Sequence, residues 1–519
     1  MHIFPRYQKF LYLIKHVLFI FFIGFVGSAS CTKSAPPPKS TLRISFNTWP
    51  ATFDPRKCAD FVSSTLVCMT YDGLMRCLPG GEVEFALAKK IDISSDQLVY
   101  TFFLREAFWS DGKPITAYDF EASWKGVLDP PKACAFLFYP IKNAEKCVKK
   151  EVSIDEVGIW AIDEKTLRVV LESSTPYFKK LTAFPTFLTA PSHDSNFKTL
   201  NGPFLIQSLL ENHEIVLKKN PFYWNQNNVF LDEIHISIIP DESTALEMFE
   251  NGDLDWLGGP LCPLPPDAID KLKDKPVFIP NAASTICTFN TQGFPFSNPH
   301  LRKAFGLSID REEIVEKVTG AGQVPATSML PPAFSKQNYP LTNPEKAKEH
   351  FQKALEELGI EAKQLQSLIL YYRPTQIEKR LAQTLQKGWF KTLGIQIKLV
   401  QLDYKSHAHR LQTRDYQLAL ASWIAQFDDP LSILSRFKDK NHLKNYPGWE
   451  DGFYTHLLNL ANSASNREEI LAQAEKIFRD KMPLCPIYHW SSPAIYSSRI
   501  ESIGITPCGG VLFERFKLH

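Results

Sequence analysis

YTFFLREAFWSDGKPITAYDFEASW, residues 100–124, carries the signals that decide the fold class. Its opening, with Val99 before it, alternates over residues 99–104 with the period of two expected for a half-buried strand. Ser110, Asp111 and Gly112 supply the short polar side chains and the glycine of a tight turn. From Thr116 to Trp124 the pattern is helical, with Thr116 and Asp119 placed to cap its first turn. Asp111 and Asp119 therefore read as turn and cap residues rather than catalytic acids, because short acids favour those backbone positions. Strand, turn and helix in this order make the segment mixed α/β.

Working outward, the same mixture continues. Residues 42–46, 166–171, 215–219 and 234–238 read as strands. Apolar residues return at three and four over 299–308, 344–358, 376–392 and 467–480, which predicts helices, the last with Ser465 and Asn466 as candidate caps. Glu345, Lys346, Lys348 and Glu349 mix the two signs as on a solvated helix face. No internal repeat is visible. The turn-rich 293–299 and the Pro-punctuated 483–493 are expected to be crossings between lobes.

With 519 residues, 44% of them apolar, the chain can bury several cores, and at about 100 to 200 residues per domain it should form roughly three lobes. The formal charge is +2. Arg6, Lys9 and Lys15 stand in the first 30 residues with no acid, so the remainder is near neutral and has no basic stripe. That argues against nucleic acid as a partner. Neither a Gly-rich phosphate loop nor a GxSxG or HExxH motif is present, so the expectation is not an enzyme and no cofactor. The basic start, the apolar run 17–26 and the small residues 27–30 before Cys31 form a secretory signal pattern over 1–30. The apolar run is shorter than the roughly 20 residues of a membrane-spanning helix. A polar, Pro-rich tether follows, taken as 31–41. Beyond Cys31 there are nine cysteines: Cys58, Cys68, Cys77, Cys134, Cys147, Cys262, Cys287, Cys485 and Cys508. Nine cannot all pair internally. Cys134 with Cys147 and Cys485 with Cys508 are candidate pairs, while buried free thiols are at least as well supported, and no CxxC points to zinc.

Ordered segments from about residue 42 to 500 resemble the binding proteins of dipeptide and oligopeptide ABC importers, solute-binding family 5. They are TFDP at 52–55, YDGL at 71–74, the opening segment 100–124, NGPF at 201–204, LKKNPFYW at 217–224 and MFENGDLDW at 248–256. NTQGFPFSNPHLRKAFGLSIDR at 290–311, LGIQIKLVQLDY at 393–404 and SWIAQFDDP at 422–430 complete the series. The resemblance implies a three-lobed periplasmic-binding-protein-like fold (class II, cluster C) with a hinged ligand cleft. Lobe I would comprise 42–75, 188–285 and 490–519, lobe II 76–187 and lobe III 286–489. It implies an exported, monomeric protein, lipid-anchored at Cys31 on the periplasmic side of the membrane. Its partners would be short peptides and the permease and ATPase subunits of an importer. Ser28 stands where the usual lipobox has Leu.

Such proteins bind an extended peptide by strand addition, with side chains in roomy pockets. The resemblance places the edges at Ala59 to Phe61, at Cys287, Phe289 and Asn290, and around Ala421. Trp423 is the leading site aromatic and Tyr404 a second; for both, core packing is the competing reading. Peptide-binding relatives have an Asp three residues after that Trp, to meet the peptide ammonium, and here it is Gln426. Either Asp428 or Asp429 supplies the missing charge or the ligand has no ordinary amino terminus; as residues before Pro430, both acids equally suit a turn. For a ligand carboxylate, Arg410, Arg373 and Lys405 lie in cleft-lining segments, while the Arg of relatives three residues before the Trp is Leu420. Alternatives are a modified or γ-linked peptide such as glutathione, a cell-wall peptide, nickel or haem, or a chaperone-like or adhesive role. His407 and His409 would share a face on a strand but have no visible third ligand, so no metal site is expected.

Overall fold

The computed structural model describes residues 40–519 apart from 192–197, 266–267, 270–271, 273–275, 336, 338 and 340. The signal segment, Cys31 and most of the tether lie outside the described residues.

Two antiparallel strands, Val277–Phe289 and Leu484–Tyr496, are each 13 residues long and hold the molecule together. At about 3.3 Å per residue each spans roughly 43 Å, long enough to run from one lobe into the next. They form the middle of an eleven-stranded sheet. Beyond one of them lie Leu418–Ile424, Ile369–Tyr372 and Lys398–Gln401; beyond the other lie Trp256–Gly258, Thr41–Phe46, Glu233–Ile238, Glu214–Lys219 and Phe204–Leu210. Val277 pairs with Ala494 at one end and Thr288 with Leu484 at the other. Between them the register slips twice, at 280–284 and at 285–286. Pro280 lacks an N–H, so the ladder is interrupted there and the pair of strands bends.

The crossing therefore lies at 277–289 rather than at the expected 293–299. In 293–299, Ser297 N–H donates to the Gly293 carbonyl (2.9 Å) and Asn298 caps helix Pro299–Leu307. Gly and Pro mark that turn, whereas the true crossing is a long strand disguised by its own Pro280. The expected crossing at 483–493 falls within Leu484–Tyr496.

The opening segment folds into a separate four-stranded antiparallel sheet, Ala88–Ile93, Val99–Leu104, Thr166–Val170 and Ile159–Asp163. Gly112 takes the turn at φ 83°, with its N–H donating to the Trp109 carbonyl (2.9 Å). Asp119 accepts from the Thr116 N–H (3.0 Å) and closes a capping box on helix Ala117–Leu128. The helix buries Phe120 and Trp124 against Phe138 and Phe187. In the third lobe, alternation along Leu418–Ile424 sends Leu418 and Leu420 to one core with Trp389 and Phe305, and Ala419, Ala421 and Trp423 to another with Phe437 and Phe478. Helices Pro344–Leu358 and Gln376–Leu393 cover the first face, and Gly452–Leu460 and Arg467–Lys481 the second. Among the described residues no helix is long and apolar enough to cross a membrane.

Candidate functional site

Where the crossing strands bend, they border two adjoining cavities of about 320 and 370 Å³, and Asn281, Trp490 and Ser491 line both. The first is the more polar of the two, with Thr285, Arg373, Glu378, Tyr404 and Tyr488 on its wall. Thr375 caps helix Gln376–Leu393 and sets Glu378 in its first turn, where Arg373 Nε donates to Glu378 Oε1 at 2.7 Å. The Arg373 backbone N–H also donates to Glu378 Oε2 (2.7 Å), and its Nη2 reaches Ser422 Oγ (3.3 Å). Trp490 Nε1 donates to Thr285 Oγ1 (2.9 Å), which fixes the indole as the partition between the cavities. The second cavity is mostly apolar, lined by Phe278, Val324, Pro332 and Ala333. On its wall, His489 Nδ1 shares a hydrogen bond with Ser284 Oγ (2.8 Å), and burial lowers its pKa to about 4, so the ring is neutral.

A strand edge opens beside this cleft. Ala425 N–H donates to the Ala282 carbonyl and Asn290 N–H to that of Gln417, so odd-numbered residues of Leu418–Ile424 turn their main chain toward Val277–Phe289. Even-numbered residues turn theirs outward. Pairing with Ile369–Tyr372 on that outward side ends at Ala419. His407 hydrogen-bonds the Leu420 main chain, and Arg436 Nη2 donates to the Ile424 carbonyl (2.6 Å). Ser422, between them, is the outward-facing residue past the end of the neighbouring strand. An arrangement of one strand edge, one polar chamber and one apolar chamber suits an extended molecule with main-chain polarity and side chains of mixed character.

The residues singled out from the sequence are distributed unevenly about this cleft. Tyr404, 60% exposed, and Arg373 are brought together on its polar wall. Trp423 is buried, edge-on to Phe437 at 5.9 Å, with Nε1 lacking a hydrogen bond among the described residues. Its core reading is the one its position supports. Ala421 lies on that same core face. Cys287 cannot receive an added strand, which corrects the expectation for it: it is opposite Leu420 on one side and Cys485 on the other, so both edges are taken, while Phe289 is opposite Leu418 on one side. Asn290 is spent on a turn, its Nδ2 donating to the Arg414 carbonyl (2.8 Å). Ala59 to Phe61 are exposed, but they are a bend and a helix start, with Asp60 capping Phe61–Thr70, and not a strand edge. Arg410 lies over the Tyr371 ring and pairs with Asp415 (2.5 Å). His407 and His409 sit on helix Tyr404–Thr413, where a spacing of two turns them to different sides: His407 is buried and His409 exposed.

Gln426 is half-buried, and its backbone N–H donates to Ser432 Oγ (2.6 Å). The two nearby acids are both engaged. Asp428 pairs with Lys180 (2.9 Å), joining this loop to the second lobe, and Asp429 pairs with Arg467 (2.6 Å) and accepts from the Leu431 N–H. Burial pushes the Asp429 carboxyl pKa up, opposed by Arg467. Asn281, Thr285, Glu378, Tyr488 and Trp490 went unnoticed in the sequence. For the four on the crossing strands the signal was the run of polar residues inside two otherwise apolar strands.

Residues 82–445 match the bacterial extracellular solute-binding proteins, family 5. The oligopeptide-binding protein OppA of Bacillus subtilis is 35% identical over 95% of both chains. The periplasmic oligopeptide-binding protein OppAIV of Borrelia burgdorferi superimposes with a TM-score of 0.73 at 28% identity, covering 92% of this chain and 100% of that one. The murein tripeptide binding protein MppA in its unliganded open form gives 0.82 at 24% identity, with 92% and 97% covered, a likeness of fold. The chain belongs to the bacterial extracellular solute-binding proteins of family 5.

Proposed function

We propose that this protein captures short peptides or peptide-like molecules outside the cytoplasmic membrane and delivers them to an ABC permease powered by cytoplasmic ATPases. The carrying observation is the outward-facing strand edge at Ser422 beside a polar and an apolar chamber at the bend of the crossing strands. Main-chain pairing would give affinity with little regard to sequence, and the chambers would take side chains. The family and the B. subtilis relative support the ligand class.

The site favours a ligand without an ordinary ammonium terminus. Gln426 offers a neutral acceptor, while Asp428 and Asp429 are already paired. A hydrogen bond to a charged group contributes about 1.5–3 kcal/mol against about 1 for a neutral one. Calorimetry with free and N-acetylated forms of one peptide, on wild type and Gln426→Asp, separates the cases. Acetylation should matter little for wild type and weaken binding to the variant about tenfold; equal losses in both would overturn the reading. Native mass spectrometry of the purified protein should show peptides or one modified peptide, and a metal or porphyrin would refute it. Lipid on Cys31 would hold the protein at the membrane as a monomer. Cys31→Ala should then move it to the soluble exported fraction.

A further inference from the structure

Across the two crossing strands, Cys287 stands directly opposite Cys485. Both are fully buried, in the same core as Leu420 and Phe305. The main-chain parity that turns Leu420 outward also turns Cys287 toward Leu484–Tyr496, so the two cysteines form a hydrogen-bonded pair. In such pairs the Cα atoms are about 5.5 Å apart, inside the roughly 4.4–6.8 Å that a disulfide spans. Directly opposite residues project from the same face, so the two sulfurs face one space.

A second observation concerns Cys485. Arg311 is buried and its Nη2 donates to Cys485 Sγ at 2.7 Å. The other Arg311 contacts are carbonyl oxygens of Gly306, Ile309, Leu341 and Pro486 and the Thr342 hydroxyl. The sulfur is thus the one group in this set able to take up negative charge against a buried cation. In the folded chain burial raises the pKa of both thiols, and Arg311 opposes this at Cys485.

We propose that Cys287 and Cys485 are joined by a cross-strand disulfide when the chain folds outside the cytoplasm, through exchange with a disulfide donor of that compartment. Before Leu484–Tyr496 docks, the thiolate of one of the two cysteines attacks one sulfur of the donor disulfide and expels the first donor thiolate. The other cysteine, losing its proton, then attacks that protein sulfur in the mixed disulfide and expels the second. One S–S bond breaks in the donor and one forms in the protein; the donor leaves as two thiols carrying the two protons. Because the site is buried, exchange precedes the docking of Leu484–Tyr496. The link ties the crossing strands at their third-lobe end and leaves the bend at 280–286 free to move. In the two candidate pairs from the sequence, one sulfur is engaged elsewhere: Cys134 Sγ donates to the Cys58 carbonyl (3.1 Å), and Cys508 Sγ lies 3.5 Å from Asp428 Oδ1.

The test uses full-length protein exported and purified without reductant, denatured in iodoacetamide and mapped by mass spectrometry before and after reduction. A peptide pair joining Cys287 to Cys485 is expected before reduction, with both cysteines alkylated only after it. Full alkylation of both before reduction, or a link from either to another cysteine, would overturn the proposal. In Cys485→Ser, Cys287 should become alkylatable without reduction. Reductant should lower the denaturation midpoint of wild type and leave that of the variant in place; equal sensitivity would count against the link.

Discussion

Asp255 is fully enclosed, yet its carboxylate pairs with Arg43 (2.8 Å) and Arg499 (2.9 Å) and accepts from the Arg43 N–H (2.9 Å). Burial alone would raise its pKa; the Arg43 hydrogen bonds and the two positive charges outweigh this and hold it below the ordinary value. A carboxyl depressed on folding contributes stability that is present above its unfolded pKa, near 4, and lost as pH falls through the folded value. Asp255→Asn should therefore cost about 3 kcal/mol at neutral pH, the lower end for one partner lost from a buried pair, because both arginines reach solvent. Urea denaturation across pH should show wild type losing its advantage below about pH 4, with the variant flatter there. A pH-independent difference would assign the loss to packing instead. This residue also shows what sequence reading lacks. Asp255 stands in the quoted 248–256 segment, but its arginines come from positions more than 200 residues away on either side. Asp428 and Asp429 were visible as acids near Gln426 for the same reason that their partners, Lys180 and Arg467, were not.

At the scale of elements, the helices were the legible part. The periodicity at 344–358 coincides with helix Pro344–Leu358, because Asn343, Pro344 and Gly359 mark both ends chemically. Asn343 Oδ1 accepts from the Lys346 N–H (3.0 Å), and Asn343→Ala should lower stability by about 1 kcal/mol in thermal unfolding. The crossing strands were hidden, since Val277–Phe289 mixes Pro, Asn, Ser and Thr with apolar residues and lacks clean alternation. Those polar residues are in the sequence because the bend and the polar cavity need them. Gly258, in Trp256–Gly258, has φ 116° and packs on the second crossing strand, where an added Cβ would stand 2.4 Å from the Pro493 carbonyl oxygen. Backbone cannot retreat as a flexible side chain would. Gly258→Ala should cost about 3 kcal/mol, readable as a shifted urea midpoint with an unchanged slope.

At the scale of the whole molecule, ordered motifs disclosed a three-lobed family fold, but not which faces meet. The second and third lobes touch through the loop that carries Gln426, where Phe427 stacks on Tyr177 at 4.5 Å and Lys180 pairs with Asp428, and again where Ser174 Oγ donates to the Asn462 carbonyl (2.7 Å) after helix Gly452–Leu460. The loop is thus anchored twice, by Asp429 to Arg467 within its own lobe and by Asp428 to the neighbouring one. Lys180 and Asp428 are partly exposed, so their pair should contribute no more than about 1 kcal/mol to global stability. Its effect on binding follows from a different cost. A loop held in place before the ligand arrives loses little freedom on binding, whereas a loosened one must be ordered at that moment, and the competent fraction falls. Asp428→Asn should accordingly leave the urea midpoint nearly unchanged while weakening ligand affinity about three- to tenfold by calorimetry, with the loss carried by a less favourable entropy. Parallel losses in stability and affinity would make the pair a structural strut; unchanged affinity would show that the Arg467 anchor alone orders the loop.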